Sequence, residues 1–378
     1  MHALDSLLSK LVSIDSVNPD LVPGARGEGE IAACVAEWLR ERGLEVHVEE
    51  SGKPGRPNVV AIARGAGGGK ALMLNAHMDT VGTAGMKAPF SAEIRGGRLY
   101  GRGAIDTKAA LAAFMSATAD ARQAGLRGDV ILTAVVDEEY ASAGTEAIVK
   151  KWPADAAIVG EPTGLDIVTE HKGFAWFEIE TKGVAAHGSL PKKGVDAIVK
   201  MGKVLAAIDE MSERLSAGAP HRTLGTGSIH ASLIQGGQEL SSYPGSCRLS
   251  IERRTIPGEN VAEIEKELRA VLNQLARNDP DFKATLRMTF SRESLETSRD
   301  SHIAVVLSRQ IKSITGRDAV FSGMSGWLDS ALLAAAGIPT VVLGPGGEGL
   351  HGETEWVDLE SLHLCREIVL TAIKDFCR

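Results

Sequence analysis

The residues best suited to chemistry in this chain of 378 residues begin where an apolar run ends. The predominantly apolar segment 72–76 leads directly into His77, and Asp79 follows two residues later. Side chains at i and i+2 of an extended segment point the same way, so Asp79 can hold one ring nitrogen of His77 and leave the other free for a metal ion. A chance His-x-Asp at the end of a core strand is the alternative interpretation at this point.

Further ionisable side chains occupy comparable positions along the chain. They are Asp106, Glu138, Glu139, Glu161 and His351. The three glutamates follow apolar segments that we expect to be strands, whereas the aspartate and the histidine lie in glycine-rich loops. In open α/β sheets, ligands bind beyond the carboxyl ends of the strands, so these side chains are candidates for one shared site.

Each of these residues also has an ordinary structural interpretation. Asp106 could be the N-cap of the helix that follows it. Glu138 and Glu139 could form a solvated strand end, and because neighbours on a strand point opposite ways the two should not share one role. Glu161 could be a turn residue before a proline, and His351 could be a loop histidine without a partner.

The coincidence of these residues at one edge of a sheet favours a metal site. Several carboxylates gathered near two histidines would repel one another, and their pKa values would rise until some of them were protonated. Two divalent cations resolve that repulsion. Mixed histidine and carboxylate ligands suit zinc, with cobalt or manganese as substitutes. An aspartate can bridge two such ions ~3.5–4 Å apart.

Hydrophobic periodicity divides the chain into two patterns. In residues 1–172 and 292–378, nearly continuous apolar strands alternate with helical segments, which predicts a sheet covered on both faces. Residues 173–291 contain alternating strands and helices in the order β-α-β-β-α-β, which is typical of a split βαβ unit with helices on one face. The sequence therefore predicts an α/β domain interrupted by an inserted α+β domain.

Composition and charge exclude several classes of protein. The hydrophobic content of 44% is ample for a packed core, and the net charge of −8 comes without a basic run, so we expect no nucleic-acid partner. No apolar run approaches the ~20 residues of a membrane-spanning helix, and the first residues lack the features of an export signal. The four cysteines form no Cys-x-x-Cys pattern, which favours unpaired thiols and a cytoplasmic location.

The ordered set of motifs resembles the M20 family of metallopeptidases, the group of acetylornithine deacetylase, succinyl-diaminopimelate desuccinylase and aminoacylase. The resemblance covers nearly the whole length. Its motifs are LLSKLVSIDS at 7–16, NAHMDTV at 75–81, GRGAIDTK at 101–108, DEE at 137–139, GEPT at 160–163 and the loop around His351. It implies a zinc-peptidase-type catalytic domain with a mixed sheet covered by helices, and an inserted ferredoxin-like lid and dimerisation domain.

The resemblance also implies a pair of zinc ions with five protein ligands. His77 and Glu161 would bind one ion, Glu139 and His351 would bind the other, and Asp106 would bridge the two. Cobalt or manganese could take the place of zinc.

Three residues would have catalytic roles on the same resemblance. Asp79 would orient the histidine that precedes it, and Glu138 would be the general base that carries a proton from water to the leaving nitrogen. The residues alone do not distinguish which of the two adjacent glutamates is the base and which is a ligand. His187, in GVAAHGSLP at 183–191, would steady the developing oxyanion, often across a dimer interface; the alternative is a surface histidine at a strand end.

Substrate recognition is implied for a few more positions. Arg254 matches the family arginine that meets a substrate carboxylate, although an ion pair with Glu252 or Glu259 is an equally ordinary role for it. Gly346 and Gly347 could offer backbone N–H groups to the same carboxylate.

Ser241 and Asp329 lie at two further positions of the family pattern. Ser241 stands where many relatives carry an asparagine, and a hydroxyl offers fewer hydrogen bonds than an amide. This departure puts the substrate preference of those relatives in doubt for this chain. Asp329 falls where the family often has an aspartate, and we expect it to cap the helix that follows.

The resemblance therefore predicts a dinuclear zinc amide hydrolase that acts on a small N-acyl-amino acid and forms a homodimer through the inserted domain. A dipeptidase or a glutamate-type carboxypeptidase of the same family is the alternative. A metal-free binding protein is disfavoured, because all five ligand positions are occupied by suitable side chains.

Overall fold

The chain folds into two units that alternate along the sequence in a computed structural model, which describes residues 2–378. The first unit contains the chain up to Thr169 together with Thr297–Ser322 and Leu328–Arg378. The second unit contains Glu170–Glu296 and Gly323–Trp327. All of the predicted metal ligands lie in the first unit.

The helices follow the periodicity of the sequence. Their bounds are α1 Ala3–Val12, α2 Gly29–Glu41, α3 Ala109–Ala121, α4 Ala143–Ile148, α5 Ala197–Ser216, α6 Val261–Asn278, α7 His302–Thr315, α8 Ser330–Ala335 and α9 Leu359–Phe376. In α1 the buried leucines are Leu4, Leu7, Leu8 and Leu11, a spacing that forms one apolar stripe. By contrast, α3 is alanine-rich and almost wholly buried. Within residues 2–378, no helix is long and apolar enough to cross a membrane.

The strands are short and numerous. Their bounds are β1 Glu45–Glu49, β2 Asn58–Ala63, β3 Leu72–His77, β4 Glu93–Arg95, β5 Arg98–Tyr100, β6 Val130–Val135, β7 Ala156–Val159, β8 Ile167–His171, β9 Gly173–Lys182, β10 Ala186–His187, β11 Ser228–Gly236, β12 Ser242–Tyr243, β13 Ser246–Thr255, β14 Lys283–Arg292, β15 Leu295–Glu296, β16 Phe321–Met324, β17 Thr340–Val342, β18 Gly347–Glu348 and β19 Trp356–Asp358.

The main sheet of the first unit is mixed. Its strands follow the order β1-β2-β6-β3-β7-β17-β8, and the last two residues of β8 pair with β15. Strand β3 is parallel to both β6 and β7, and β7 is parallel to β17, whereas β1, β2 and β6 form antiparallel pairs. Every residue of β2, β3, β6 and β7 is buried, as expected for a sheet covered on both faces.

Parallel pairing determines where the polar side chains gather. Because β3, β6 and β7 run in the same direction, their carboxyl ends lie at one edge of the sheet, and the residues that follow them emerge together. A smaller sheet in the same unit has the order β18-β19-β5-β4. It holds the two glycine-rich loops in which the sequence analysis placed an aspartate and a histidine.

The second unit is built on an antiparallel sheet with the order β11-β13-β9-β14. Residues of β9 alternate between buried and more exposed, as expected when one face is covered. Phe177 and Ile179 point to the covered face and pack with side chains of α5 and α6, whereas Trp176 is 41% exposed on the other face.

Candidate metal centre

His77, the last residue of β3, is held by the main chain that follows it. Its Nδ1 lies 3.0 Å from the backbone carbonyl oxygen of Asp79, and 3.6 Å from the nearer carboxylate oxygen of the same residue. A carbonyl oxygen can only accept, so Nδ1 carries the proton and Nε2 is left to bind an ion. The sequence predicts that Asp79 orients His77, and the structure places the shorter contact on the carbonyl rather than on the carboxylate.

The carboxylate of Asp79 holds a different part of the site. Its Oδ1 accepts from the N–H of Glu138 at 3.1 Å, and its Oδ2 accepts from the N–H of Glu139 at 3.1 Å. The side-chain amide of Asn18 donates to Oδ2 at 2.8 Å. Asp79 is fully buried, so these donors supply the solvation that its charge has lost. The turn that follows β6 is therefore pinned through its peptide groups.

A buried arginine supports the same turn from beneath. Arg56 donates from Nε and Nη2 to the two carboxylate oxygens of Glu28, at 2.5 and 2.7 Å, and from Nη2 to Asp137 at 3.0 Å. Glu28 accepts from the N–H of Asp137 at 3.0 Å. Asp137 adopts a φ of 68°, a backbone conformation that residues other than glycine rarely adopt. The hydrogen bonds from Arg56 and to Glu28 hold it in that conformation. Neither Arg56 nor Glu28 was predicted from the sequence.

Asp106 lies between the two histidines. Its Oδ1 is 3.2 Å from Nε2 of His77, and its Oδ2 is 3.2 Å from Nε2 of His351. It belongs to the turn Ala104–Lys108, and α3 begins only at Ala109, so it is not the N-cap of that helix. One carboxylate thus faces both histidines with separate oxygens, which is the arrangement that a bridging ligand needs.

Three glutamates complete the cluster. Glu161 lies 3.6 Å from His77, and Glu139 lies 3.3 Å from His351, in both cases measured from a carboxylate oxygen to Nε2. Potential ligand atoms lie within 4.8 Å of one another in two groups, His77 with Glu138 and Glu161, and His77 with Asp106 and Glu139. The adjacent glutamates therefore fall into different groups.

The donor set fits divalent cations. Two imidazoles and several carboxylates are the ligands that zinc and related ions accept. Oε1 of Glu139 is buried and has no hydrogen-bond partner among the described residues. A buried oxygen without a hydrogen-bond partner costs free energy unless a cation or a donor approaches it.

The electrostatics of the cluster point the same way. Burial raises the pKa of the Glu138 and Glu161 carboxyls well above their usual range. Burial would lower the pKa of His77, but Asp106 and Glu161 raise it well above its ordinary value. Asp106 and Glu139 raise the pKa of His351 to about 10. These pKa shifts indicate that the buried cluster favours added positive charge, which divalent cations would supply.

Asp329 belongs to this region as well. It stands at the N-cap position of α8, but its side chain makes no capping hydrogen bond, and Oδ2 accepts instead from the hydroxyl of Thr145 at 2.6 Å. The expectation of a helix cap is therefore wrong for its side chain. Burial raises the pKa of Asp329 to about 6, and Oδ1 has no hydrogen-bond partner within residues 2–378.

His187 and Ser241 are neighbours within the second unit. β10 pairs with β12, and the N–H of Gly188 donates to the carbonyl of Ser241 at 2.7 Å. The N–H of Ser189 donates to Nδ1 of His187 at 3.2 Å, and the Ser189 hydroxyl lies 2.8 Å from the same nitrogen. Because Nδ1 accepts from a peptide N–H, the proton of the neutral ring is on Nε2.

Arg254 makes one of the ion pairs that the sequence analysis weighed. Its Nη2 lies 3.1 Å from Glu252, and its guanidinium carbon lies 5.3 Å from the centre of the Phe174 ring. Glu259, the other candidate partner, is bound by Arg253 instead. Arg254 remains about one-third exposed.

The glycine-rich loop of the first unit is already engaged at one predicted position. The N–H of Gly346 donates to the hydroxyl of Ser361 at 2.8 Å. Gly347 lies in β18 opposite Val357 of β19. A substrate carboxylate would have to displace Ser361 to reach the Gly346 N–H.

Known proteins resemble the chain over its whole length. Residues 73–375 match the family model described as peptidase family M20/M25/M40. The chain is 31% identical, over 396 aligned residues, to the acetylornithine deacetylase of Myxococcus xanthus, with 100% of this chain and 98% of that protein covered.

Solved structures share the fold. A tripeptidase from Staphylococcus aureus superposes with a TM-score of 0.82 at 23% identity, covering 99% of this chain and 98% of that one. A dinuclear metal-binding peptidase of the M20 family from Bacillus subtilis gives a TM-score of 0.77 at 17% identity, covering 99% and 97%. The predicted mixed α/β fold is confirmed.

Replacing Asp79 by Asn should loosen the turn after β6. An amide presents one oxygen, so it cannot accept from the N–H groups of both Glu138 and Glu139 as the carboxylate does. Hydrogen bonds to charged acceptors contribute about 1.5–3 kcal/mol. We therefore expect these two amide hydrogens to exchange at least about tenfold faster in Asp79→Asn, as measured by hydrogen–deuterium exchange.

Asp155→Asn is the matched control for this measurement. Asp155 also accepts from a backbone N–H, that of Ala71 at 2.7 Å, but at the opposite end of β3. Exchange at Glu138 and Glu139 should be unchanged in the control. Unchanged exchange in Asp79→Asn would show that its carboxylate does not hold the turn.

Proposed function

The chain belongs to peptidase family M20/M25/M40, which makes it a metal-dependent hydrolase of amide or peptide bonds, and on that premise we propose that it uses two zinc ions to remove the acyl group from a small N-acyl-amino acid. The observation that carries the proposal is the placement of Asp106, whose two oxygens face His77 and His351 separately. The similarity to an acetylornithine deacetylase supports deacylation as the reaction.

Five side chains of the first unit would hold the ions. His77 and Glu161 would bind one, Glu139 and His351 the other, and Asp106 both. The distances of 3.2–3.6 Å between their nitrogen and oxygen atoms support this grouping. Once bound, such ions supply Lewis acidity, which polarises a substrate carbonyl and makes a water molecule more acidic. Cobalt or manganese could occupy the same donor set.

Glu138 would move the proton. Its carboxylate lies near His77 and Glu161 but is not needed as a ligand, and its peptide N–H is held by Asp79. Burial raises its pKa, which suits a group that accepts a proton from water at one stage and delivers it to the leaving nitrogen at the next. The products would be a carboxylic acid and a free amino acid.

Residues of the second unit would bind and polarise the substrate. His187 would donate from Nε2 to the developing oxyanion, and the Ser189 contact supports that tautomer. Arg254 would meet the substrate carboxylate in exchange for Glu252. The Ser241 hydroxyl would replace the asparagine of many relatives, and in the first unit Gly346 and Gly347 could supply N–H groups.

A dipeptidase or glutamate-type carboxypeptidase is the second candidate. A tripeptidase from Staphylococcus aureus has the same fold, and that similarity supports peptide hydrolysis as the alternative reaction. The two candidates share the metal ligands and Glu138. They differ in what must fit on the acyl side of the scissile bond.

A cytoplasmic location is part of the proposal. All four cysteines are buried and unpaired. Thiols of this kind are typical of proteins in a reducing compartment.

Replacing Glu138 by Gln should abolish turnover and leave the metal in place. The amide has the shape of the carboxylate but cannot accept the proton, and a general base contributes about 10²–10⁴-fold to the rate. We therefore expect kcat to fall by at least about 10²-fold while two ions per chain remain. Steady-state kinetics and elemental analysis of the same sample measure the two quantities.

The neighbouring glutamate provides the matched control. Glu139→Gln should lose bound metal together with activity, because Glu139 is proposed as a ligand and not as the base. Retention of most of kcat in Glu138→Gln, or full metal content in Glu139→Gln, would contradict the assignment of the two roles.

A substrate panel separates the two candidate reactions. We expect the highest kcat/KM on N-acetyl- or N-succinyl-amino acids, no activity after treatment with a chelator, and recovery on addition of zinc, cobalt or manganese. A clear preference for dipeptides or tripeptides would favour the second candidate. Activity that survives removal of all metal would contradict the metal-dependent mechanism.

A homodimer through the second unit is the remaining part of the proposal. Strand β11 is an edge of its sheet and pairs only with β13 among the described residues. Leu233 and Ile234 on this strand are 73% and 55% exposed. A long, apolar, open strand edge is a site of association unless a partner covers it, and a second copy of the chain would do so.

Replacing Leu233 by Lys should dissociate this dimer. A charge on the edge strand opposes pairing, so we expect the mass measured by light scattering to fall from twice 39.9 kDa to 39.9 kDa. Val48→Lys is the control, because Val48 is 52% exposed on β1, the edge strand of the main sheet in the first unit. A wild-type monomer, or an unchanged dimer in Leu233→Lys, would exclude this interface.

A further inference from the structure

Two loops of the first unit meet beside the proposed metal site. Strand β19 pairs with β5 on one side and with β18 on the other. The loop after β5 leads to Asp106, and the loop between β18 and β19 contains His351. Neither residue follows a strand of the main sheet, so their relative position depends on what joins the two loops.

Glu355 joins them through its carboxylate. Oε1 accepts from the N–H groups of Ile105 and Asp106, at 3.0 and 3.2 Å. Oε2 accepts from the N–H of Gly103 at 3.0 Å and from Nη1 of Arg102 at 2.6 Å. The side chain is fully buried. One carboxylate therefore binds three peptide groups and one guanidinium of the opposite loop.

Arg102 also binds the loop that contains His351. Its Nη2 donates to the carbonyl of Gly352, the residue after His351, at 2.9 Å, and its Nε donates to the carbonyl of Gly82 at 2.9 Å. Its side chain is 1% exposed. The N–H of Gly101 also donates to the backbone carbonyl of Glu355 at 3.1 Å. The two loops are thus tied by side chains and by main chain.

Glu355 and Arg102 form a buried ion pair close to a residue with an uncommon backbone conformation. A buried ion pair contributes little net stability compared with well-packed apolar residues, so stability alone does not explain it. His351 has a φ of 59°, a backbone conformation that is uncommon outside glycine and that persists only where its surroundings impose it. Arg102 donates to the carbonyl of Gly352, the residue that directly follows His351.

We propose that Glu355 and Arg102 are positioning residues that fix His351 relative to Asp106 and so set the affinity of the ion that Glu139 and His351 would hold. The proposal rests on the proposed function, because it requires the two-ion site. The other ion would share Asp106, but its remaining ligands, His77 and Glu161, lie at the ends of β3 and β7, which the main sheet positions.

Glu355→Gln tests the connection with little change in shape. The amide oxygen can still accept from Ile105 and Asp106, but the NH₂ group then faces the donors of Gly103 and Arg102. In that orientation the contacts with the Ile105 and Asp106 peptides are preserved, while the contacts with Gly103 and Arg102 are lost. The effect should therefore fall on the loop of His351.

We expect Glu355→Gln to weaken one of two ions. Residues that support metal ligands typically contribute 10–100-fold to metal affinity. Titration of the full metal-free chain with Zn²⁺ against a chromophoric chelator should show one ion with wild-type affinity and one weakened by about 10–100-fold. Equal weakening of both ions, or of neither, would overturn the proposal. A wild-type chain that binds fewer than two ions would overturn the proposed function and this inference with it.

Two backgrounds identify which ion is affected. In His351→Ala the second ion is already lost, so adding Glu355→Gln should leave the affinity of the remaining ion unchanged. In His77→Ala the ion of interest remains, and adding Glu355→Gln should weaken it. If Glu355→Gln weakened the remaining ion in His351→Ala but not in His77→Ala, the proposal would be overturned. Non-additive effects are expected between residues that share contacts, here Glu355 and the ligands of the ion that His351 holds.

Two further variants separate positioning from general instability. Arg102→Lys keeps the charge but cannot reach Glu355, Gly352 and Gly82 together, so it should weaken the same ion. Ile373→Val, a buried change in α9, should lower the melting temperature without changing the affinity of either ion. A selective metal effect in Ile373→Val, or none in Arg102→Lys, would count against the proposal.

Discussion

The crowding of buried carboxylates at one edge of the main sheet is the constraint on which the rest of the first unit depends. It follows from the parallel pairing of β3 with β6 and β7, which brings the residues after three strands to the same place. Burial, with a further contribution from the neighbouring carboxylates, raises the pKa values of Glu138 and Glu161 well above their usual range. Such an arrangement persists only if positive charge enters the site and if the surrounding groups hold the carboxylates in place.

Peptide N–H groups and buried arginines provide that hold. Asp79 accepts from the peptide groups of Glu138 and Glu139, so a carboxylate that looks like a partner of His77 also supports the base and a ligand. Beneath it, Arg56 and Glu28 bind the preceding residue of the same turn. In each case a negative side chain accepts from backbone donors that would otherwise be unpaired, which orients the turn without adding further bulk to the site.

Local pattern was sufficient to predict part of this from the sequence. Apolar strands predicted the α/β fold, and their ends located His77, Glu138 and Glu161, because a strand determines where the next side chain emerges. Glycine-rich loops made Asp106 and His351 candidates, and the family resemblance, now confirmed, implied their roles as metal ligands. The supporting residues were out of reach, since Arg102 and Glu355 are 253 residues apart and meet only after the loops have folded. Asp329 differs from its prediction for a related reason: a position before a helix predicts a cap, but Oδ2 accepts from the buried hydroxyl of Thr145, which is distant in sequence, instead of from a peptide N–H of α8.

The two halves of the site are supported in the same physical way. Glu28 with Arg56 and Glu355 with Arg102 are both buried pairs in which the carboxylate accepts from peptide groups and the arginine reaches a further acceptor. An apolar pair of similar volume would cost less to bury, but it could not orient N–H groups. Because a guanidinium binds several acceptors in a fixed plane, each pair fixes the position of one chain segment relative to another. The carboxylates that would meet the ions are therefore placed by other carboxylates, and the arginines keep that arrangement from being a repulsive one.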